Sequence, residues 1–512
     1  MSEVMKRFFR SLILPSLFLA PTVLVAQDET DALRYSFQPY HGTSRGMGLG
    51  NAMGSLGADF STLSVNPAGI GLYRKGEFAF TPGFNSIAQT GIYQGQQEER
   101  SSTKLNISHL GIVLTHAKRG KEYSRAGWKS ASFAFGVNRV ATFRNEYAYS
   151  GQNYKSSFVE RFAEEFNRRG GLNNNTLGAV SYPAYAAWAT YLIDRDYGGD
   201  STQAKAYVPY TDGLLQRKTV QERGGMHEYV ISGGGNYMDR LMLGATLGIT
   251  RSTYDRTMQM SEEDLSANLK NDFRYVNYTE RLNTEGTGFN LKLGAIFKPA
   301  DAVRFCIAVH TPTKIYFNDS YSVEMESHTD SLKLIGNPGA DPVTRYSQDT
   351  LQIFNYSMNT PYKAIASGTV MFGAYGFLTA DAEYVDYRSM KYDYGIGYES
   401  ESNAVNDVIR RTYTDAVNIR VGAEFRITDF AMRGGFAYYG SPYQTQPNAA
   451  CTLISGGLGY RAPSWYFDAS LVYDMQDRSE QPYVLSRVNA DVPAATIQSR
   501  RAQVAFTLGR RL

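Results

Sequence analysis

Apolar and polar side chains alternate along most of this chain. Between 131 and 149 the apolar residues hold mostly odd positions, and the even positions are mostly polar or small. The same period of two returns at 241–249, 289–297 and 417–425. Successive side chains of a β-strand point to opposite faces, so this period predicts strands with one apolar face. Such strands fit both a soluble sandwich and a membrane barrel.

The connections between these segments favour the barrel. Short turns such as 238–240 and 427–429 mostly alternate with longer polar loops. An even number of strands with short turns at one end and long loops at the other is typical of outer-membrane barrels. We therefore predict an all-β fold, a transmembrane antiparallel β-barrel of about 14 strands that occupies residues 76–512. The strands lie near 76–92, 105–117, 130–149, 226–238, 241–258, 271–298, 302–327, 350–372, 376–391, 414–427, 430–440, 449–461, 464–477 and 500–510.

The first residues have the composition of an export signal. Lys6, Arg7 and Arg10 precede an apolar stretch that begins at Leu12, and Ala26 stands before an acidic segment. A basic start, an apolar stretch and a small residue at the cleavage site are typical of a secretory signal peptide. We predict that residues 1–26 are a signal peptide and that the mature chain is a multi-pass barrel in a Gram-negative outer membrane.

Composition argues against several classes of function. The net charge is only +3, with no long block of one sign, which argues against a nucleic-acid partner. Two cysteines, Cys306 and Cys451, cannot build a disulfide framework or a cysteine-rich metal site. The six histidines show no paired metal-ligand spacing. We expect no metal site and no cofactor.

Two segments match enzyme motifs in part, but each lacks a feature that the motif requires. Residues 42–46 match G-x-S-x-G, but a nucleophile elbow needs an apolar strand before it and a helix after it, and the sequence predicts neither. Residues 46–50 lack the third glycine of a dinucleotide-binding loop. We predict no catalytic residue, and an outer-membrane enzyme stays as one alternative.

The polar face of the strands would enclose the lumen. Arg139 falls on the lipid-facing register, so either the third strand reaches the headgroups there or a bend at Gly136 and Asn138 takes it out of lipid. The lumen face carries both signs of charge, which we interpret as structural ion pairs. Its members are Arg304, Asp381, Glu383, Arg420, Glu424, Arg433 and Asp468.

Residues 27–75 do not alternate. They contain a glycine-rich run at 44–52 and the turn Asn66-Pro67-Ala68-Gly69. About fifty residues do not fold easily alone, but they could fill a barrel lumen. The glycine-rich start and this turn resemble the FadL family (OMPP1/FadL/TodX) of outer-membrane transporters of hydrophobic compounds, especially its Bacteroidota members. Segments 420–425, 433–436 and 455–460 resemble the C-terminal strands of that group.

The resemblance implies a function and a mechanism. Residues 27–75 would be a hatch that plugs a 14-strand barrel, with Asn66, Pro67, Ala68 and Gly69 as its hallmark turn. Extracellular loops would capture a hydrophobic or amphiphilic small molecule, such as a long-chain fatty acid. Hatch movement would then release it, sideways through a kinked third strand. Other partners would be outer-membrane lipid or lipopolysaccharide, and the barrel-assembly machinery during biogenesis.

Residues 150–225 are predicted to form a long extracellular loop with short helices. Ser157 and Glu160 form a capping-box pattern, and a second helix is predicted at 184–193. Aromatic side chains at helical spacing would either pack against the barrel rim or form a groove where an amphiphile first binds. The candidate groove residues are Phe158, Phe162, Phe166 and Trp188.

Two further functions remain open at this stage. Related barrels resemble the shuttle protein of a gliding-associated secretion system, so a scaffold that transports nothing is one alternative. Homologues are often described as hemin receptors, which makes haem binding the other. The sequence shows no paired histidine or tyrosine ligands for haem.

Overall fold

The computed structural model describes residues 29–39, 42–268, 271–329, 343–347, 352–446, 449–486 and 490–512. The predicted signal peptide therefore lies outside the described residues. The helices are α1 (Glu29–Ser36), α2 (Ser44–Gly48), α3 (Thr62–Val65), α4 (Gly120–Arg125), α5 (Glu160–Arg168), α6 (Asn174–Leu177), α7 (Tyr182–Ala189) and α8 (Glu399–Thr412). Among the described residues, no helix combines the length and the apolar character needed to cross a bilayer.

The strands of the first half of the chain are β1 (Glu77–Tyr93), β2 (Gln96–Ala117), β3 (Trp128–Thr142), β4 (Asn145–Asn153), β5 (Ile193–Arg195), β6 (Ala204–Ala206), β7 (Leu214–Tyr237), β8 (Leu241–Asp264), β9 (Tyr275–Ala300), β10 (Val303–His310) and β11 (Lys314–His328). Those of the second half are β12 (Val343–Ser347), β13 (Gln352–Asn359), β14 (Lys363–Met371), β15 (Gly376–Asp386), β16 (Lys391–Asp393), β17 (Asp415–Ile427), β18 (Phe430–Tyr439), β19 (Cys451–Arg461), β20 (Trp465–Glu480) and β21 (Ala495–Arg511).

These strands close into an antiparallel barrel of 14 staves, as the sequence predicted. Four staves are interrupted, so that β3 with β4, β10 with β11, β13 with β14, and β15 with β16 each form one stave. The barrel closes where β1 pairs with β21, from Glu77 opposite Arg511 to Ile92 opposite Thr496. The breaks in the seventh and eighth staves were not predicted, because 302–327 and 350–372 each read as one alternating run.

Most of the short turns and both barrel termini lie at one end, which is the periplasmic end of such a barrel, while the short turn between β1 and β2 lies at the other end. Large apolar side chains point outward from the adjacent part of each stave. Phe135, Ile231, Leu247 and Phe289 are examples, each more than two-fifths exposed. This exposure is stable only against acyl chains, so the apolar face predicted from the sequence is the lipid-facing face of an outer-membrane protein.

At the extracellular end the strands are longer than predicted. β7 begins at Leu214, so 214–225 belong to a strand and not to the predicted loop, and β2 begins at Gln96 instead of 105. About 9–11 residues suffice to cross the bilayer. Beyond that length both faces of a strand can meet water, and the alternation that revealed the membrane part disappears.

The N-terminal segment lies inside the barrel, and we call residues 42–73 the hatch. A side chain at Gly50 would meet the backbone of Phe436 in β18, and α2 also packs on β19 and β20. On the opposite side, the 3-10 helix Pro67–Leu72 packs on β7, β8 and β9. The prediction of a plugged lumen is confirmed.

The predicted lumen charges pair with one another or with the hatch. Arg420 is fully buried and lies 3.3 Å from Glu383 and 3.7 Å from Asp381. Arg433 contacts Glu424 at 2.6 Å and Asp468 at 2.7 Å. Buried ion pairs of this kind contribute little net stability, but losing one partner costs about 3–5 kcal/mol. The pairs therefore specify one arrangement of the lumen.

Arg45 and Arg304 join this network to the hatch. The Arg45 guanidinium lies 3.3 Å from Glu424, and Arg304 donates to the Leu56 carbonyl oxygen at 2.7 Å. The backbone amide of Gly54 donates to Asp381 at 3.1 Å. The wall charges thus hold the hatch at several points.

Candidate functional site

The Asn66-Pro67-Ala68-Gly69 turn is locked by its own side chains. Asn66 is fully buried; its Oδ1 accepts from the Ala68 amide at 3.1 Å, and its Nδ2 donates to the Gly54 carbonyl at 2.7 Å. Pro67 opens the following 3-10 helix, where its fixed φ suits a first helical position. The turn is therefore a rigid element that docks as one piece.

Glycines of the barrel wall receive this turn. A Cβ at Gly294 in β9 would lie 1.8 Å from Asn66 Oδ1, and a Cβ at Gly244 in β8 would lie 2.2 Å from the Pro67 carbonyl oxygen. No side chain larger than hydrogen fits at either position without displacing the hatch. The hatch thus rests directly on the backbone of the wall.

A chain of buried polar groups runs from the hatch to the third stave. Asn138 Nδ2 donates to Ser64 Oγ at 2.9 Å, and Ser64 Oγ donates to Glu228 at 2.9 Å. Glu228 also forms a close ion pair with Lys292. Asn138, predicted to mark a bend, therefore also contacts the hatch. Ser64 carries no sequence signal that distinguishes it from any other serine.

The wall is open beside the third stave. β2 pairs with β3 from Ala117 opposite Ser130 to His109 opposite Asn138, and the pairing ends there. From Asn106 to Gln96, β2 pairs with β1 alone among the described strands. β4 continues the third stave but pairs with β7. We call the unpaired boundary between β2 and the Asn138–Asn153 part of this stave the open seam.

β4 has moved inward at the open seam. Its Glu146 amide donates to Gln89 of β1 at 2.9 Å, and Arg144, just before β4, donates to Ser102 of β2 at 2.8 Å. The rings of Tyr93 and Tyr149 lie 5.3 Å apart. β4 therefore lies against the inner face of the β1–β2 hairpin, held by side chains instead of a backbone ladder.

Gly136 and Asn138, the predicted bend residues, lie at the end of the β2–β3 pairing. A Cβ at Gly136 would lie 2.5 Å from the Phe60 ring of the hatch, so this glycine permits a close approach. The register shifts between Arg139 and Ala141, and β3 ends at Thr142. The Arg139 guanidinium bonds to Thr142 Oγ1 at 3.0 Å, so its charge is partly satisfied within the irregular segment.

A cavity of about 350 Å³ lies above the hatch. We call it the central cavity. Leu33 and Phe37 of the N-terminal segment, Met47 of the hatch and Phe143 at the break in the third stave line it together with strands β19, β20 and β21. Its size and its mainly apolar wall match a site for a small molecule.

One face of the central cavity carries unpaired polar atoms. Arg501 Nε and Asp474 Oδ1 are buried and have no hydrogen-bond partner among the described residues. Both residues line the cavity. A buried polar group without a partner is costly, which singles out these two groups as candidates to contact a ligand.

A second cavity, of about 240 Å³, lies at the open seam. Ser102 and Lys104 of β2 line it on one side, and Gln221 and Arg223 of β7 on the other. Arg144 and Glu222 line both this seam cavity and the central cavity. The lumen and the open seam are therefore separated only by a thin layer of side chains.

Helix α1 is one of the elements that the sequence did not predict, and α8 is another. Tyr35 is buried, with its ring 4.5 Å from Phe317, and the Arg34 guanidinium lies 4.0 Å above the Tyr254 ring. Helices this short are marginal in water, so α1 exists because the lumen buries it. The acidic first turn and Arg34 in the last turn were its only local signal.

The predicted groove residues lie in a cap over the extracellular end. Phe158, Phe162 and Phe166 are at most 2% exposed and share a core with Tyr278 and the barrel rim. They form packed structure and not an open groove, although Phe162 also lines a 310 Å³ cavity beside α5. Trp188 packs at the edge of the same core.

The predicted capping box is only half formed. Glu160 accepts from the Ser157 amide at 3.0 Å, but the Ser157 hydroxyl donates to Glu262 of β8. Glu262 also accepts from the Phe158 amide at 2.8 Å. The serine therefore anchors the cap to the barrel, which a local pattern could not reveal.

No family model and no curated protein matches this sequence. Among solved structures, the chain is similar to a Pseudomonas aeruginosa FadL homologue, with a TM-score of 0.55 and 14% identity over 93% of this chain and 99% of that chain. It is also similar to the P. putida toluene transporter TodX, with a TM-score of 0.51 and 9% identity over 94% of this chain and 99% of that chain. Together with the barrel and its hatch, these likenesses show that the chain has the FadL-type outer-membrane fold.

Proposed function

We propose that this protein is a passive outer-membrane transporter for hydrophobic or amphiphilic small molecules of the long-chain fatty acid type. The observation that carries the proposal is the central cavity, which meets the open seam across Arg144 and Glu222. A sealed barrel would need neither an internal cavity nor an interruption of the wall beside it. The proposal assigns no catalytic step to the protein.

The cavity wall favours an amphiphile. Leu33, Phe37 and Phe143 offer an apolar surface, and Arg501 offers an unpaired buried donor. Burial of an acyl chain stabilises the complex by about 0.8 kcal/mol per CH₂. A ligand carboxylate at Arg501 would supply the acceptor that the Nε atom lacks, on a guanidinium that stands opposite Asp474 in the β20–β21 pairing.

The proposed route begins at the cap and ends in the bilayer. The ligand would pass the cavity beside α5, enter the central cavity and leave through the open seam when the hatch and β4 shift. Because returning an acyl chain to water costs about 0.8 kcal/mol per CH₂, lateral exit is the route of lower free energy. The ligand gradient alone would drive this movement.

Filling the seam cavity tests the route. Ser102→Phe places a ring in the 240 Å³ space without entering the central cavity. Thr103→Phe, one residue away on the exposed face of β2, is the matched control. Wild type and both variants would be reconstituted in vesicles, and transfer and equilibrium binding of a fluorescent long-chain fatty acid would be measured.

We expect Ser102→Phe to slow transfer at least about tenfold while binding in the lumen is kept, because the ring fills the exit even though the hydrogen bond from Arg144 to Ser102 is lost. Thr103→Phe should transfer like wild type. Wild-type transfer no faster than in protein-free vesicles would refute the transport function. Equal transfer by wild type and Ser102→Phe would refute the lateral route.

A further inference from the structure

The periplasmic end of the barrel carries unbalanced positive charge. Within the described part of the chain, six exposed cations there have no carboxylate within salt-bridge distance. We call this set the basic rim: Lys75, Arg119, Lys121, Arg125, Arg240 and Arg510. Nearby, Arg74 pairs with Asp239, and Lys118 pairs with Glu122 at 3.3 Å.

At the extracellular end, three arginines on the projecting strands are paired with carboxylates. Arg251 lies 2.7 Å from Glu285, Arg281 lies 2.6 Å from Glu324, and Arg500 lies 2.6 Å from Asp477. Each of these cations faces a carboxylate on the neighbouring strand. Other exposed arginines of the projecting strands, such as Arg217 and Arg223 of β7, have no ion pair among the described residues either, so what distinguishes the basic rim is its position at the periplasmic edge of the apolar belt.

The basic rim is a folded surface. The Lys118 amide donates to the Lys129 carbonyl at 3.0 Å, which closes the turn that contains α4. Tyr123 of α4 bonds to Asp239 in the next turn, and Arg74 donates to the Tyr123 hydroxyl at 3.0 Å. Three successive parts of the rim are thus tied together, and the cations on them keep a defined arrangement.

Aromatic side chains fix the depth of the basic rim. The Trp128 ring lies 5.5 Å from the Tyr237 ring, and Trp128 is 52% exposed on the lipid-facing side. Trp465, also exposed, stands opposite Arg510 in the β20–β21 pairing. Tryptophan and tyrosine favour the level of the headgroups. The cations of the rim therefore meet the phosphate layer of the periplasmic leaflet.

We propose that the basic rim binds the headgroups of anionic phospholipids in the periplasmic leaflet. Unpaired lysine and arginine next to an apolar surface recognise a phosphodiester by charge, while the belt beside Trp128 takes the acyl chains. Juxtamembrane cations attract anionic lipid, and salt weakens the attraction. A soluble acidic protein would use the same charges, but it would not need the aromatic residues at their edge.

Trp128 at the rim can report the lipid beside it once the other two tryptophans are replaced. Trp188→Phe with Trp465→Phe leaves Trp128 as the only tryptophan. In vesicles, its quenching by brominated phosphatidylglycerol would be compared with its quenching by brominated phosphatidylcholine at low and high salt. The rim variant combines Lys75→Gln, Arg119→Gln, Lys121→Gln and Arg125→Gln, and the control combines Arg251→Gln, Arg281→Gln and Arg500→Gln.

We expect the parent protein to prefer the anionic lipid by at least about fivefold at low salt, which is the effect of roughly one interfacial cation. High salt and the rim variant should each bring the preference close to one, and the control should keep it.

Altered mobility on unheated gels would show that each variant is folded. Equal quenching of the parent protein by both lipids would overturn the proposal even without the variants, and so would a preference that the rim variant retains. Capture of an acidic soluble protein with equal lipid quenching would also overturn it.

Discussion

Two seams of the same barrel differ in how they are closed. β7 and β8 pair along their full length, from Tyr237 opposite Leu241 to Leu214 opposite Asp264. β2 and β3 pair only as far as His109 opposite Asn138, and β4 then lies inside the β1–β2 hairpin. One seam is a continuous backbone ladder, and the other is held by side chains above its midpoint.

The two seams also border different parts of the lumen, which suggests separate roles for them in the proposed transport. The closed seam leads into β9, and the glycines Gly244 and Gly294 of this wall hold the hatch turn. The open seam borders both cavities. Unpaired backbone groups near lipid are costly, so a membrane barrel keeps an open edge only where it has a use. The barrel wall thus has one fixed side, which holds the hatch, and one side that can move, at the open seam.

The largest effect should come from the closed side. Gly294→Ala places a Cβ 1.8 Å from Asn66 Oδ1, and Asn66 is held by two hydrogen bonds, so the hatch must leave the wall. Overpacking of this kind costs about 1–3 kcal/mol. Single-channel conductance in planar bilayers should rise, and trypsin should cleave the hatch.

Gly434→Ala is the control for this change, because a Cβ there meets nothing within 4 Å. It should keep the low conductance of the wild type. A Gly294→Ala protein with an intact, protease-resistant hatch would show that the glycine wall does not hold the turn.

The next change acts on the open seam. A Cβ at Gly91 would lie 2.1 Å from the Ala148 carbonyl oxygen, so Gly91→Val must push β4 off the hairpin. The two bonds that tether this stave, Glu146 to Gln89 and Arg144 to Ser102, should be lost, at about 1 kcal/mol each. Hydrogen exchange of 145–153 should accelerate while that of β7 and β8 stays slow. Gly368→Ala, whose nearest contact is 3.8 Å away, is the control, and unchanged exchange in Gly91→Val would contradict the side-chain tether.

A smaller effect is expected inside the central cavity. Arg501→Met keeps an unbranched side chain as far as the position of Nε but removes the guanidinium with its unpaired Nε donor, and fatty acid affinity should fall about tenfold. Arg500→Met changes the neighbouring residue, which is paired with Asp477 outside the cavity, and should leave affinity unchanged. Calorimetric titration measures both. A similar loss in the two variants would mean that net charge, and not the cavity, controls binding.

The smallest effect concerns the cap. Glu262 lies at the extracellular end of β8, beyond the membrane-spanning part, and burial raises its pKa to about 7. A carboxyl with a raised pKa binds its proton more tightly in the folded state than in the unfolded state. Protonation of Glu262 therefore stabilises the cap fully below about pH 4.3, the pKa of a free glutamate, and this stabilisation is lost as the pH rises through 7. Exchange of 156–168, corrected for intrinsic rates, should therefore be faster at pH 8 than at pH 6. Glu262→Gln should remove this pH dependence, and a wild type without it would refute the assignment.

Local sequence patterns predicted most of the barrel strands but few of the residues of the candidate site. Alternation located all 14 staves because lipid demands an apolar residue at every second position of a membrane strand. The turn from Asn66 to Gly69 was singled out by its resemblance to the FadL family, because its residue types stand together in the sequence. Ser64, Arg501 and α1 could not be found in this way, since the residues that they lie against are distant in sequence: Asn138 for Ser64, Asp474 for Arg501 and Tyr254 for α1.

The class of fold follows from the sequence, because the bilayer imposes a periodic requirement that each strand meets alone. Tertiary structure alone decided that Phe158, Phe162 and Phe166 are buried, that the ladder between β2 and β3 stops at Asn138, and that two cavities meet there. The physical reason is that burial, a missing strand partner and an empty volume are properties of several segments brought together. These properties therefore cannot be predicted from any one segment alone.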